Sequence, residues 1–159
     1  MEEDNIMPVE KLKKFLDARK VKYVSIKHSL AYTAHEIAAS THIHGKEIAK
    51  TVIVKTDDKF AMAVLPANYR VAIDLLKKAS GATHAEIAGE EEFKDLFPGC
   101  DLGAMPPFGN LYDMNVYVDK SLSEDEDIAF NAGSHTELIR MPYKDFIKLV
   151  NPRVVNLTA

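Results

Sequence analysis

A chain of 159 residues, 47% hydrophobic and 28% charged, is the size of one domain and needs no staple to bury a core. Its 20 Lys and Arg against 24 Asp and Glu leave a net charge of −4, which argues against broad non-specific nucleic-acid binding but not against a local basic patch. A lone Cys100 excludes an internal disulfide, the longest apolar run (Phe60 to Ala67) is far too short to span a membrane, and the acidic start Met1-Glu2-Glu3-Asp4 shows no secretory signal, so the expectation is cytoplasmic.

Pro8 to Arg19 is predicted as an amphipathic helix, with Pro8 at its first position and Val9, Leu12, Phe15 and Leu16 on one face. Lys22 to His28 alternates as a strand, with Val24, Ile26 and His28 on one side. Thr33 and Glu36 form a capping box for a helix over Ala34 to Ser40. Ala49 to Thr56 and Lys59 to Ala67 flank an Asp57-Asp58 turn and predict a hairpin near the sheet centre. In its first strand Lys50, Val52, Val54 and Thr56 share a face.

A helix over Val71 to Ser80 closes on Gly81, then a short strand (Glu86 to Ala88) and a helix (Glu90 to Phe97) follow. Leu102 to Gly109 fits no period and reads as a structured loop. Strands are predicted at Asn115 to Asp119, Ile128 to Ala132 and Glu137 to Met141, with the acidic run Glu124 to Asp127 as a solvated loop. Pro142 to Val150 is a helix, and Val154 to Leu157 a last extended piece. Strands and helices interleave without a regular βαβ beat, which predicts a single α+β domain over residues 1–159 with a mixed sheet.

The chemistry-bearing residues exclude more than they suggest. His42 and His44, with His28, His35 and His84, lack a second cluster at ligand spacing, and Glu124 to Asp127 lacks the glycine of a calcium loop, so no metal is expected. There is no Gly-x-Ser-x-Gly elbow and no phosphate-binding glycine motif, so neither a serine nucleophile nor a cofactor is expected. Two features remain. Lys50 sits in a strongly apolar strand, either snorkelling at its end or serving a site. The loop Gly103-Ala104-Met105-Pro106-Pro107-Phe108-Gly109 either connects rigidly or aims backbone N–H groups at a carbonyl.

The order of Lys50, then Gly103-x-x-x-Pro107, then Ala132-Gly133-Ser134-His135 resembles the YbaK family, also called the prolyl-tRNA synthetase editing-domain-like or aminoacyl-tRNA deacylase family. His28 followed by Thr33-x-x-Glu36, and Asn68 to Leu75 after the hairpin, agree with it, so the similarity runs from about Leu12 to Leu149. The resemblance implies an α+β fold with a mixed, strongly curved central sheet surrounded by helices. It also implies a free-standing editing enzyme that hydrolyses the ester of a wrong, small amino acid (alanine, serine or cysteine type) on the tRNA 3′ end. The implied mechanism uses water and neither metal nor other cofactor. The implied partners are aminoacylated tRNA and a synthetase.

Carried over, Lys50, Gly103 and Ala104 form the catalytic set. His28, Thr33, Lys46, Met105, Pro106, Pro107, Gly133, Ser134 and His135 surround the substrate, with Ala104 and Met105 shaping the acyl pocket. Many members carry a second glycine and a small or hydroxyl residue where Ala104 and Pro106 stand, and the bulk of Met105-Pro106 bears on which amino acid fits. Lys46, Lys50, Lys55 and Arg70 are the cations expected to meet tRNA. The rival readings are a non-catalytic module binding tRNA ends or a synthetase, and a small-molecule esterase or amidase.

Overall fold

The computed structural model describes residues 8–27 and 47–158. The expected strand end at His28, the helix over Ala34 to Ser40, and His28, Thr33, His35, Glu36, His42, His44 and Lys46 lie outside the described residues.

The elements run α1 (Pro8–Ala18), β1 (Val24–Lys27), β2 (Ile48–Thr56), β3 (Lys59–Pro66), α2 (Ile73–Ser80), β4 (Ala85–Ile87), α3 (Glu90–Phe93), β5 (Asn115–Asp119), β6 (Asp127–Asn131), β7 (Glu137–Pro142), α4 (Tyr143–Val150) and β8 (Arg153–Val155). Eight strands form one sheet in the order β1-β7-β6-β2-β3-β5-β8, with β4 added on β2. Pairs β2–β6, β3–β5 and β5–β8 are parallel and the others antiparallel, giving the mixed sheet of an α+β domain.

The central hairpin β2–β3 forms because Asp57 and Asp58 both take left-handed backbone (φ 48° and 70°), the twist that a tight two-residue turn requires. The Asp57 carboxylate also accepts the N–H groups of Thr83 and His84, which hold it below its ordinary pKa. At the end of α2, Gly81 adopts φ 73° and returns its N–H to the Lys77 carbonyl at 2.9 Å.

Alternation divides the sheet into two faces. One packs on α1 and α4 through Leu12, Leu16, Ile53, Met62, Val64, Phe130, Ile139 and Phe146. Phe108 stands in this layer with its ring 5.6 Å from those of Phe130 and Phe146. The opposite face carries two smaller apolar groups, Ile48, Ala129 and Leu138 in one, and Val54, Ala61, Ala63, Leu76, Tyr117 and Leu157 in the other.

Three local expectations are corrected. The helix over Glu90 to Phe97 ends at Phe93 and continues as a 3-10 turn, Lys94–Leu96. The acidic segment is no plain loop: Lys120–Glu124 is a 3-10 helix, and Asp127 already belongs to β6. It forms because Asp119, almost wholly buried, accepts the Ser121 N–H at 3.2 Å and the Leu157 N–H at 2.8 Å. The strand expected from Lys22 begins only at Val24, which is 58% exposed because β1 is at the edge of the described sheet. No described helix is long and apolar enough to cross a membrane.

Candidate active site

Lys50 lies on the second face, on the strand between Ile48 of one apolar group and Val52 and Val54 of the other. It is half-buried, and among the described residues no carboxylate pairs with it. Burial lowers its pKa, and the nearby Arg70 guanidinium lowers it further, since both disfavour the charged ammonium. Arg70 lines an open groove of about 440 Å³ with Tyr69, Val71, Ala72 and Thr158.

The sheet parts at this lysine. The parallel β2–β6 ladder pairs Ile48 with Ala129 and Ala49 with Phe130, then stops. One step on stand Lys50 and Asn131, on the same face as Ala129. The same edge of β2 is taken up again only by β4, from Val54 to Thr56. A parting of strands beyond the carboxyl end of a parallel partner is where open sheets place ligands.

β6 leads directly into the turn that holds the Gly103 loop. The Gly133 N–H donates to the Ala104 carbonyl at 2.8 Å, and the Asp101 N–H donates to the Gly133 carbonyl at 2.9 Å. The Asp101 carboxylate accepts the His135 N–H at 3.1 Å, and His135 Nε2 lies 2.8 Å from the Leu102 carbonyl. A carbonyl only accepts, so Nε2 carries a proton in this contact. Ser134 caps its own turn, with its hydroxyl 2.8 Å from that of Thr136. Gly103 is exposed at φ 83°, a left-handed conformation that other residues adopt only with strain. No hydrogen bond among the described residues uses the N–H of Gly103 or Met105.

Several expected site residues are placed differently from the sequence reading. The Ala104 N–H turns back onto the Asp101 carbonyl at 3.0 Å, so it is not presented to a ligand, and the residue is fully buried. Met105 is 4% exposed and belongs to the main core, while Pro106 and Pro107 are buried beside it. Gly133 is required by packing, since a Cβ there would come within 2.8 Å of Pro8. Lys55 points to the face opposite Lys50 and pairs with Glu92 at 2.9 Å and Glu86 at 3.8 Å, so it is not an open cation for tRNA. Cys100 sits 3.9 Å from the Tyr112 hydroxyl, and burial raises its pKa, the opposite of a reactive thiolate. Among the described residues, no group of three or more His, Cys, Asp or Glu could hold a metal ion.

Asn131 was missed by sequence reasoning. Its Oδ1 is shielded from solvent and has no hydrogen-bond partner among the described residues. The available signal was a polar side chain closing an apolar strand, Ile128-Ala129-Phe130-Asn131, which reads equally well as the start of a turn.

A cation on an apolar sheet face, in a fold that also braces a loop with free backbone N–H groups, suits an anionic or carbonyl-bearing ligand. The sequence profile of the aminoacyl-tRNA editing domain matches residues 28–149, most of the chain. The chain belongs to this family, one of deacylase hydrolases. It is 28% identical over 113 residues to the multifunctional Ser/Thr-tRNA deacylase ProXp-y of Escherichia coli K12, a match covering 68% of this chain and 67% of that protein. It is also 28% identical over 88 residues to a proline–tRNA ligase of Bacillus cytotoxicus, covering 55% of this chain and 15% of the ligase. In fold it resembles a crystal structure described as a candidate trans-editing enzyme for prolyl tRNA synthetase, with TM-score 0.81, 21% identity, and 96% and 97% of the two chains covered. A hypothetical protein, APE2540, gives TM-score 0.85 at 22% identity, with 94% and 100% covered.

Proposed function

We propose that the protein is a trans-acting editing enzyme that hydrolyses the ester joining a wrong, small amino acid to the 3′ end of tRNA, in the cytoplasm and without a metal. The observation that carries this reading is Lys50: a partly desolvated ammonium with no carboxylate partner among the described residues, where β2 leaves β6.

An aminoacyl ester is already activated, so positioning and charge stabilisation suffice without a protein nucleophile. Water attacks the carbonyl carbon, and the carbonyl oxygen becomes an oxyanion. The C–O bond to the ribose then breaks, the ribose oxygen leaves with the electron pair and takes a proton, and free amino acid and tRNA result. The Gly103 N–H is the donor suited to the oxyanion, because it is exposed and bonded to nothing else among the described residues. Lys50 is suited to the terminal phosphate or to the developing negative charge. Size selection in such a pocket is worth only about 1–3 kcal/mol per methylene, so modest specificity over alanyl-, seryl- and threonyl-type substrates is expected.

A panel of mischarged tRNAs, each assayed for deacylation, tests the reading. Turnover of small aminoacyl-tRNAs, persisting after EDTA, is the expected result. Salt-sensitive tRNA binding with no turnover would make the chain a binding module instead. Hydrolysis of simple esters with no tRNA binding would make it a small-molecule esterase.

A further inference from the structure

Resting on that reading, we infer that Asn131 is a substrate-binding residue whose side-chain carbonyl accepts a hydrogen bond from a ribose hydroxyl of the terminal nucleoside. Buried polar atoms in folded proteins nearly always have partners, and leaving one without any costs free energy, so each exception calls for an explanation. Asn131 Oδ1 is such an exception. Its position is equally telling. Asn131 pairs with Leu138 at the end of β6, on the face that carries Ala129 and Leu138, and it is the next residue in register from Lys50 where the β2–β6 ladder stops. It also leads through Ala132 to Gly133, whose backbone braces the Gly103 loop. Asn131 thus stands along the chain between the end of the β2–β6 ladder, which Lys50 follows on β2, and the turn that braces the loop.

The orphan is an acceptor, so its ligand brings an N–H or O–H. At the ester end, where ribose and amino acid meet, the ligand offers two kinds, the α-ammonium and the ribose hydroxyls. Lys50 and Asn131 each follow the last pair of the β2–β6 ladder, and the Arg70 guanidinium acts on Lys50. A second ammonium brought against these cations is repelled, whereas a neutral hydroxyl is not. The hydroxyl is therefore the matching donor, and it lets the site read a ribose rather than any ester.

The test measures binding of a non-hydrolysable minihelix, with the amino acid amide-linked at the terminal 3′ position. One form carries the neighbouring ribose hydroxyl and the other lacks it. Wild-type protein should bind the hydroxyl form about tenfold or more tightly, the scale of leaving a buried acceptor unpaired. Asn131→Ala should bind both forms equally, at the wild-type affinity for the deoxy form, with the melting temperature as a check on folding. The inference is overturned if Asn131→Ala retains the preference, or if it weakens both forms alike. Failure of wild type to bind either form, with no turnover of any aminoacyl-tRNA, would instead overturn the editing reading and this inference with it.

Discussion

The same dipeptide, Lys-Thr, occurs twice on β2, as Lys50-Thr51 and Lys55-Thr56, and the two lysines meet opposite conditions. Lys55 donates to Glu92 at 2.9 Å, and this bond raises its pKa, with Glu86 and Asp58 adding attraction. Lys50 points to the other face, its pKa lowered first by burial and then by Arg70. One lysine is neutralised by its neighbours; the other lies among apolar side chains without a carboxylate partner among the described residues. Residue type and local sequence do not separate a functional cation from a solvated one. The partners that the fold brings across do.

The comparison is broken most directly by removing each lysine in turn. Lys50→Ala should reduce deacylation by about 10³-fold or more while the melting temperature barely moves, because the lost group stabilises bound charge and makes no ion pair with a described carboxylate. Lys55→Ala should leave turnover within about twofold, as expected for an exposed pair screened by water. Steady-state kinetics on one mischarged tRNA, beside thermal unfolding of both variants, checks the pair. Equal losses of activity would erase the distinction.

The next largest effect concerns the Gly103 loop. Gly103→Val should slow turnover by about 10²–10³-fold, the scale of losing one oxyanion donor. The cause is the left-handed backbone rather than a clash, since a Cβ there would lie an ordinary 3.7 Å from His135 Cε1. Met105→Ala, two residues on but inside the main core, should instead lower stability by about 2–5 kcal/mol and leave the ranking of aminoacyl substrates unchanged. Denaturant melts and a substrate panel separate these outcomes. A changed ranking would return Met105 to the acyl pocket.

The smallest effect is one of pH. Burial alone would push the Glu137 carboxyl up, but hydrogen bonds from Lys13 and Ser25 outweigh it and hold the group below its ordinary 4.5. A carboxylate whose pKa is depressed on folding adds stability above its unfolded pKa and loses it as pH falls through the folded one. Wild-type stability should therefore drop below about pH 4.5, and Glu137→Gln should flatten that part of the profile. An unchanged acid limb in the variant would show that the Lys13–Glu137 pair contributes nothing.

Much of this was legible from the chain, where the signal was local. Periodicity located α1, the β2–β3 hairpin and α4, because each is an apolar stripe or alternation bounded by Pro, Gly or an Asp pair. The parallel β2–β6 pairing was not legible, since it joins segments about 80 residues apart and no turn fixes its register. The 3-10 helix at Lys120–Glu124 was hidden because its cap, Asp119, reads as one more acidic residue next to an acidic loop. Lys55 was misread because Glu92 and Glu86 reach it only through the fold. Lys50 could be noticed as a charge in an apolar strand, but the lack of a carboxylate partner among the described residues is a property of three dimensions.

The wedge at Pro8 has an evolutionary consequence. The ring of Pro8 occupies the space that a side chain at Gly99 or Gly133 would need, with Cβ-to-ring distances of 3.0 and 2.8 Å. Positions 8, 99 and 133 therefore share one fixed volume, although they belong to a helix start and two separate loops. A side chain at 99 or 133 would need a smaller residue at 8 or a shift of α1, and would still strain the left-handed backbone there (φ 81° and 100°). Descendants of this chain should change the three together, and a change at position 8 should retune activity from outside the site by moving the turn that braces it.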